Sequence, residues 1–312
     1  MKIFLTGASG YIGNRMAELL LEKDWVTGVV GTDISAGRIN HPKYTFYQRD
    51  IRDNMDDIFE KENIDSIIHA AYVLSPIHDK GKMEDINKNG SRNILSAGAK
   101  AGVQQILYLS STTAYGFHPD NDEPLLEDSS PLRGNDDFTY SKNKKELEPI
   151  FSKFAETHPD ITVSVLRPCM VVGPNWRNPT AEYLMQKTVA LPSNIKPWQF
   201  VHEDDLINIM ALFLEKRIGG VYNVAGDGEM TFKEMVEALG NKLVLIPWPM
   251  MYAMNNFFWY LRITSIAKSP SSGMRMLINP WIASNEKIKK ETGYQFQYDT
   301  KAAFAEFVKS TK

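Results

Sequence analysis

Tyr140 and Lys144 stand four residues apart in a stretch, Thr139 to Glu156, whose periodicity predicts a helix, so their side chains share one helix face. A phenol that titrates near ~10 is a poor base at neutral pH, but a neighbouring ammonium favours the phenolate. The pair therefore suits proton transfer to or from a hydroxyl, while the same spacing also suits a surface pair. Two other features favour the chemical reading: Ser111 at the end of an apolar strand, and a glycine-rich turn at the start of the chain.

That turn, Gly7-Ala8-Ser9-Gly10-Tyr11-Ile12-Gly13, separates the apolar run Met1 to Thr6 from a helical pattern over Asn14 to Leu21. It reads either as an ordinary strand-to-helix turn or as a phosphate cradle, in which free N–H groups and the helix dipole meet negative charge. A second apolar strand, Val26 to Thr32, ends in Asp33, 20 positions after Gly13. An acidic residue there is what a ribose 2′-hydroxyl requires. Its charge repels a 2′-phosphate, so NAD is expected rather than NADP, although Arg15, Arg38 and Lys43 lie near in sequence.

The elements that must position these residues alternate. Strands are expected at Tyr44–Gln48, Asp65–His69, Gln104–Leu109 and Ile161–Leu166, with helices at Asn54–Glu60, Met83–Ala101 and Thr139–Glu156, the last kinked at Pro149. This alternation specifies an α/β fold, a Rossmann-type doubly wound parallel sheet covered on both faces. Ligands bind at the carboxyl ends of such strands, which places Gly7, Asp33, Asp50, Ala70, Ser110, Ser111 and Pro168 together. Beyond Gly173-Pro174 the alternation breaks. A short helix is expected at Ala181–Thr188, then a helix ending near Lys216, a strand at Gly220–Val224, and a smaller lobe. The expected division is residues 1–174 with 200–226 as the nucleotide-binding domain, and 175–199 with 227–312 as the substrate-binding lobe.

Bulk properties narrow the function. A net charge of −3 gives no reason to expect a nucleic-acid partner. The single Cys169 excludes an internal disulfide framework and fits a reducing compartment. The first strand begins almost at Met1, so no export signal is expected and a cytoplasmic location is. The longest apolar stretch, Leu243 to Ile263, is broken by two prolines, two asparagines and Arg262, so no spanning helix is expected. His69, His78 and His202 lack metal-ligand spacing, and no metal is expected.

The chain resembles the extended short-chain dehydrogenase/reductases, the NAD-dependent epimerase/dehydratase group. The resemblance rests on Thr6 to Gly13, Asp33, Asp50-Ile51, His69-Ala70-Ala71, Asn87-x-x-Gly90-Ser91-x-Asn93, Ser110 to Gly116, Tyr140-x-x-x-Lys144, Arg167-Pro168, Gly173-Pro174 and Val201 to Asp205, in family order over the first two thirds of the chain. It implies Tyr140 as acid/base, Lys144 lowering its pKa and holding the nicotinamide ribose, and Ser111 hydrogen-bonding the reacting oxygen. It further implies that NAD is held by Gly7, Ser9, Gly10, Tyr11, Ile12, Gly13, Asp33, Ile34, Asp50, Ile51, Ala70, Ala71, Tyr72 and Pro168. A homodimer built on the Tyr140 helix and the helix before it is implied as well.

Departures from the family pattern bear on the substrate. Met170 stands where sugar-nucleotide members carry Asn, and Trp198 where they carry a phosphate-binding Arg. Thr112 and Thr113 replace the acidic pair of the dehydratases. With Thr112, Thr113, Met170 and Trp198 lining the substrate, the expectation is oxidation or reduction of a secondary alcohol or ketone less polar than a sugar nucleotide. The competing readings are a sugar-nucleotide C4 epimerase and a dinucleotide-binding sensor or scaffold without turnover. The Met- and aromatic-rich segment Ile246 to Leu261 is read first as core of the C-terminal lobe and second as a substrate lid. A membrane contact is not expected, because the segment lacks a basic polar face.

Overall fold

The computed structural model describes residues 1–73, 80–263, 267 and 270–312. His78 lies outside them. Its elements run β1 (Lys2–Thr6), α1 (Tyr11–Leu21), β2 (Gly28–Asp33), β3 (Tyr44–Gln48), α2 (Asp56–Glu62), β4 (Ser66–His69), α3 (Lys80–Ala101), β5 (Gln105–Leu109), α4 (Thr139–Thr157) and β6 (Thr162–Pro168). There follow β7 (Met170–Val172), α5 (Pro179–Leu184), β8 (Thr188–Pro192), β9 (Phe200–His202), α6 (Glu203–Lys216) and β10 (Gly220–Val224). The last are α7 (Phe232–Ala238), β11 (Lys242–Ile246), α8 (Trp248–Tyr260), α9 (Glu286–Thr292) and α10 (Thr300–Ser310).

Seven strands form one sheet in the order β3-β2-β1-β4-β5-β6-β10. Every pairing from β3 to β6 is parallel, as strands joined by helical crossovers require. The strands are apolar almost throughout because both faces of a parallel sheet are covered. This is the Rossmann-type sheet that the alternation of elements calls for. Strand order reverses between β1 and β4, so the carboxyl ends of these two strands flank the crevice where doubly wound sheets take ligands. α4 continues through Pro149 to Thr157.

The chain divides into two compact units, 1–111 with 143–167 and 206–222, and 112–142 with 168–205 and 223–312. The expected boundary left 112–142 with the nucleotide-binding half. The structure instead puts this stretch in the second unit, because Tyr115, Phe117 and Leu125 enter the core built from Trp176, Trp198, Phe200, Trp281 and Phe304. The core of the first unit is aliphatic and aromatic, centred on Phe4, Ile67, Ile106 and Phe151.

Two further expectations are corrected. The helix expected at Ala181–Thr188 stops at Leu184, and Thr188 instead opens β8, paired in parallel with β11. The Met- and aromatic-rich segment folds as α8, and none of its residues is buried, so it is not the core of the C-terminal lobe.

Candidate active site

Within the first unit the glycine loop is held by contacts that leave no room for side chains. Gly7 has φ +73°, a conformation that disfavours any residue with a Cβ, and a Cβ there would lie 2.8 Å from the backbone nitrogen of Ala71. A Cβ on Gly13 would lie 2.0 Å from the carbonyl of Gly7, so α1 seats directly on the loop. Gly10 caps α1 without a side-chain hydrogen bond, and no acidic residue lies in the first turn. The helix N-terminus therefore keeps its positive dipole for an anion.

Asp33, at the end of β2, accepts from Ser9 N at 3.2 Å and from Ser35 N at 2.9 Å. The neighbouring Ile34 is exposed. Ala71 N donates to Thr6 Oγ1 at 3.1 Å, which ties the β4 exit to β1. Asp50 is engaged by Arg52, whose guanidinium holds the carboxyl below its usual range. Ile51, expected among the residues that hold NAD, is buried in the core against Gly90.

α4 carries Tyr140 and Lys144 one helical turn apart. Tyr140 is half-buried beside Phe138, with ring centroids 6.1 Å apart. The first turn is fixed by Ser141, whose hydroxyl donates to Thr113 O at 2.7 Å. Lys144 is buried. Its Nζ donates to Leu109 O at 2.8 Å and lies 4.1 Å from the centre of the Tyr72 ring. Burial pulls its pKa down to about 7, against the opposing pull of Glu148.

Glu148 was not among the residues expected at the site, yet it organises this side of the sheet. It accepts from Ser110 Oγ at 2.6 Å and from Arg167 Nη2 at 2.6 Å, and all three side chains are buried. The signal was present: Glu148 follows Lys144 by four residues, on the same face of one helix. His69 is a second such residue. Its Nδ1 and Nε2 meet Thr6 Oγ1 at 2.9 Å and Ser91 Oγ at 2.8 Å, and burial lowers its pKa to about 3. Ser111 is buried at the exit of β5.

In the second unit, Thr112 and Thr113 form a 3₁₀ turn, and Thr112 Oγ1 donates to Pro168 O at 3.4 Å. Met170 is half-buried, with Asn178 Nδ2 3.9 Å from its sulfur. Trp198 corrects an expectation. It is buried, its indole N–H donates to Met276 O at 3.1 Å, and Phe232 and Trp281 pack edge-on against it. A fully buried ring whose N–H is engaged and whose neighbours are aromatic core residues is a packing residue, not a substrate wall. Cys169 is buried, and burial pushes its thiol pKa up. His202 is buried against Tyr298.

The profile of the NAD dependent epimerase/dehydratase family matches residues 3–225. The chain belongs to this family. A curated relative, the low-salt glycan biosynthesis protein Agl12 of Haloferax volcanii, is 28% identical over 268 residues, covering 77% of this chain and 83% of its own. Among solved structures, the UDP-glucose 4-epimerase of Thermotoga maritima with UDP-glucose superimposes with a TM-score of 0.80 at 20% identity, covering 100% of this chain and 98% of its own. The UDP-glucose-4-epimerase of Stenotrophomonas maltophila, with bound NAD and formylated UDP-arabinopyranose, gives 0.79 at 21% identity, covering 99% and 97%.

NAD is thus the cofactor of this epimerase/dehydratase family member, and the residues fit it. The loop at Gly7 and Gly13 admits only backbone, the first turn of α1 carries no acidic residue, and Asp33 presents a carboxylate. The second unit contains a cavity of about 360 Å³ lined by His118, Asn135, Trp248, Tyr252, Arg275 and Asn279, among others. Arg275 is paired there with Asp137, Nη1 to Oδ1 at 3.0 Å. Among the described residues no helix is long and apolar enough to cross a membrane.

Proposed function

We propose that this family member oxidises or reduces a secondary alcohol or ketone with Tyr140 as the acid/base. The observation that carries the reading is the buried Lys144 ammonium, fixed by the Leu109 carbonyl one helical turn from Tyr140. NAD supplies the hydride-exchange chemistry when bound. Tyr140 takes the hydroxyl proton during oxidation and returns it during reduction, and Ser111 hydrogen-bonds the reacting oxygen. Lys144 favours the phenolate by its charge and holds the nicotinamide ribose. Gly7, Ser9, Gly10, Tyr11, Ile12 and Gly13 hold the pyrophosphate, and Asp33 with Ile34 the adenine ribose. Asp50, Ala70, Ala71, Tyr72 and Pro168 line the remainder, and Thr113 and Met170 face the substrate.

A second reading, sugar-nucleotide C4 epimerisation, is favoured by Arg275 and the aromatic rings of Trp248 and Tyr252 around one cavity. A guanidinium forks onto a diphosphate, and aromatic rings stack on a base. Thermal shift with NAD present separates the two: stabilisation by UDP-glucose selects epimerisation, and stabilisation only by apolar ketones selects the first reading. On the substrate so identified, Tyr140→Phe must abolish turnover while leaving NAD binding intact. Unchanged turnover would remove Tyr140 from the chemistry.

A further inference from the structure

The outer face of α8 is an apolar stripe. Met250, Ala253, Met254, Phe257, Tyr260 and Leu261 follow at i, i+3, i+4, i+7, i+10 and i+11, which is one side of a helix, and all are exposed. Phe257 is 60% exposed and Tyr260 84%. The opposite side is tied down. Ser271 Oγ donates to Tyr252 O at 3.2 Å and accepts from Asn255 Nδ2 at 2.9 Å. On the preceding strand β11, Val244 and Leu245 are also exposed. α8 itself contains no charged residue.

The sequence that builds this face carries charge of one sign, and of its cations Arg275 is already paired with Asp137. Residues 238–285 contain no Asp or Glu, and they carry Lys242, Arg262, Lys268 and Arg275, in a chain whose net charge is −3. Lys242 and Arg262, which flank β11 and α8, are exposed. A fifth cation, Lys187, is exposed beside Lys242, whose N–H donates to the Lys187 carbonyl at 3.0 Å. A second copy seated symmetrically on α8 would bring these cations against themselves. A surface that is anionic at its plane and apolar beneath it complements both the rim and the stripe, and Trp and Tyr favour such an interface.

We infer that α8 docks the protein onto an anionic lipid bilayer, with Met250, Met254, Phe257 and Tyr260 entering the headgroup boundary and Lys187, Lys242 and Arg262 meeting lipid phosphates. This is peripheral binding by a folded protein, whose inner α8 face stays on the second unit. It runs against the expectation from the sequence, which rests on the lack of basic residues on the helix itself and not on the strand and turns that flank it.

The test is co-sedimentation of the full chain with vesicles of phosphatidylcholine alone or containing about one-third phosphatidylglycerol. Partitioning is expected to be at least about tenfold stronger onto the anionic vesicles, and to weaken as ionic strength rises to about 0.5 M. Met254→Asp with Phe257→Asp should abolish it, while NAD binding and the melting temperature stay unchanged because both positions are exposed. Lys187→Gln with Lys242→Gln should remove the preference for phosphatidylglycerol. In a Phe257→Trp variant, indole emission should shift to the blue on anionic vesicles. Equal, negligible partitioning onto both vesicles overturns the inference, as does partitioning that survives the double Asp substitution. A self-association that the Asp pair disrupts, without vesicle binding, overturns it in favour of a second copy.

Discussion

Lys144 Nζ lies 4.1 Å from the centre of the Tyr72 ring and donates to the carbonyl of Leu109 at 2.8 Å and to the Tyr108 hydroxyl at 3.5 Å, so its charge is buried among aromatic rings and neutral acceptors. Burial lowers its pKa to about 7. Between that value and the usual lysine range, the unfolded chain binds the proton that the folded chain has released. Stability therefore rises with pH through this window. In urea unfolding, the wild type should gain about 2 kcal/mol relative to Lys144→Met between pH 7 and pH 9. A difference that does not change with pH would mean that the ammonium is solvated.

The Glu148 and Arg167 pair is buried on both sides, with Arg167 Nη2 2.6 Å from Glu148 Oε2. Removing one partner strands the other charge. Glu148→Ala should lose about 3–5 kcal/mol, and Glu148→Ala with Arg167→Met should recover a large part of that loss. Denaturant melts of the single and double variants check this. A double variant as unstable as the sum of the singles would show that the two charges are not coupled.

Asp33 receives two backbone N–H groups and packs no core. Asp33→Ser should therefore leave the melting temperature nearly unchanged. It should lower the preference for NAD over NADP, read as the ratio of dissociation constants, by about tenfold or more, equivalent to ~1.4 kcal/mol. An unaltered ratio would place discrimination elsewhere, with Arg15 or Arg38 the next candidates.

Trp198 is one of the largest fully buried side chains. Trp198→Ala should cost about 3–5 kcal/mol of stability by leaving a cavity and an unpaired Met276 carbonyl, and Trp198→Phe should cost much less. Chemical unfolding measures both. A stable Trp198→Ala protein with altered substrate preference would return this residue to the substrate wall.

The first unit was legible because its signals are local. Apolar runs of five or six residues ending at Gly7, Asp33 and Ser110 mark strands, and Tyr140 and Lys144 share a helix face by arithmetic alone. The second unit was less so, because its elements are set by distant partners. Thr188 to Pro192 becomes a strand only through its register with Lys242 to Ile246, more than fifty residues later. Trp198 reads as a pocket residue until the rings of Phe232 and Trp281 are seen to enclose it. The exposure of α8 was hidden for the opposite reason. A run of Met and aromatic residues looks like core, and nothing in its own period says that no layer covers it.

The glycine loop has an evolutionary consequence. Gly7 and Gly13 are sterically saturated, since any methyl there pushes α1 or the β4 exit away from the loop. Their mutational neighbourhood is closed. Among the described residues Asp33 accepts from two backbone donors, and its neighbourhood is open. A lineage carrying this loop can therefore vary at the β2 exit by single steps while the packing of α1 on the loop and on the β4 exit stays fixed.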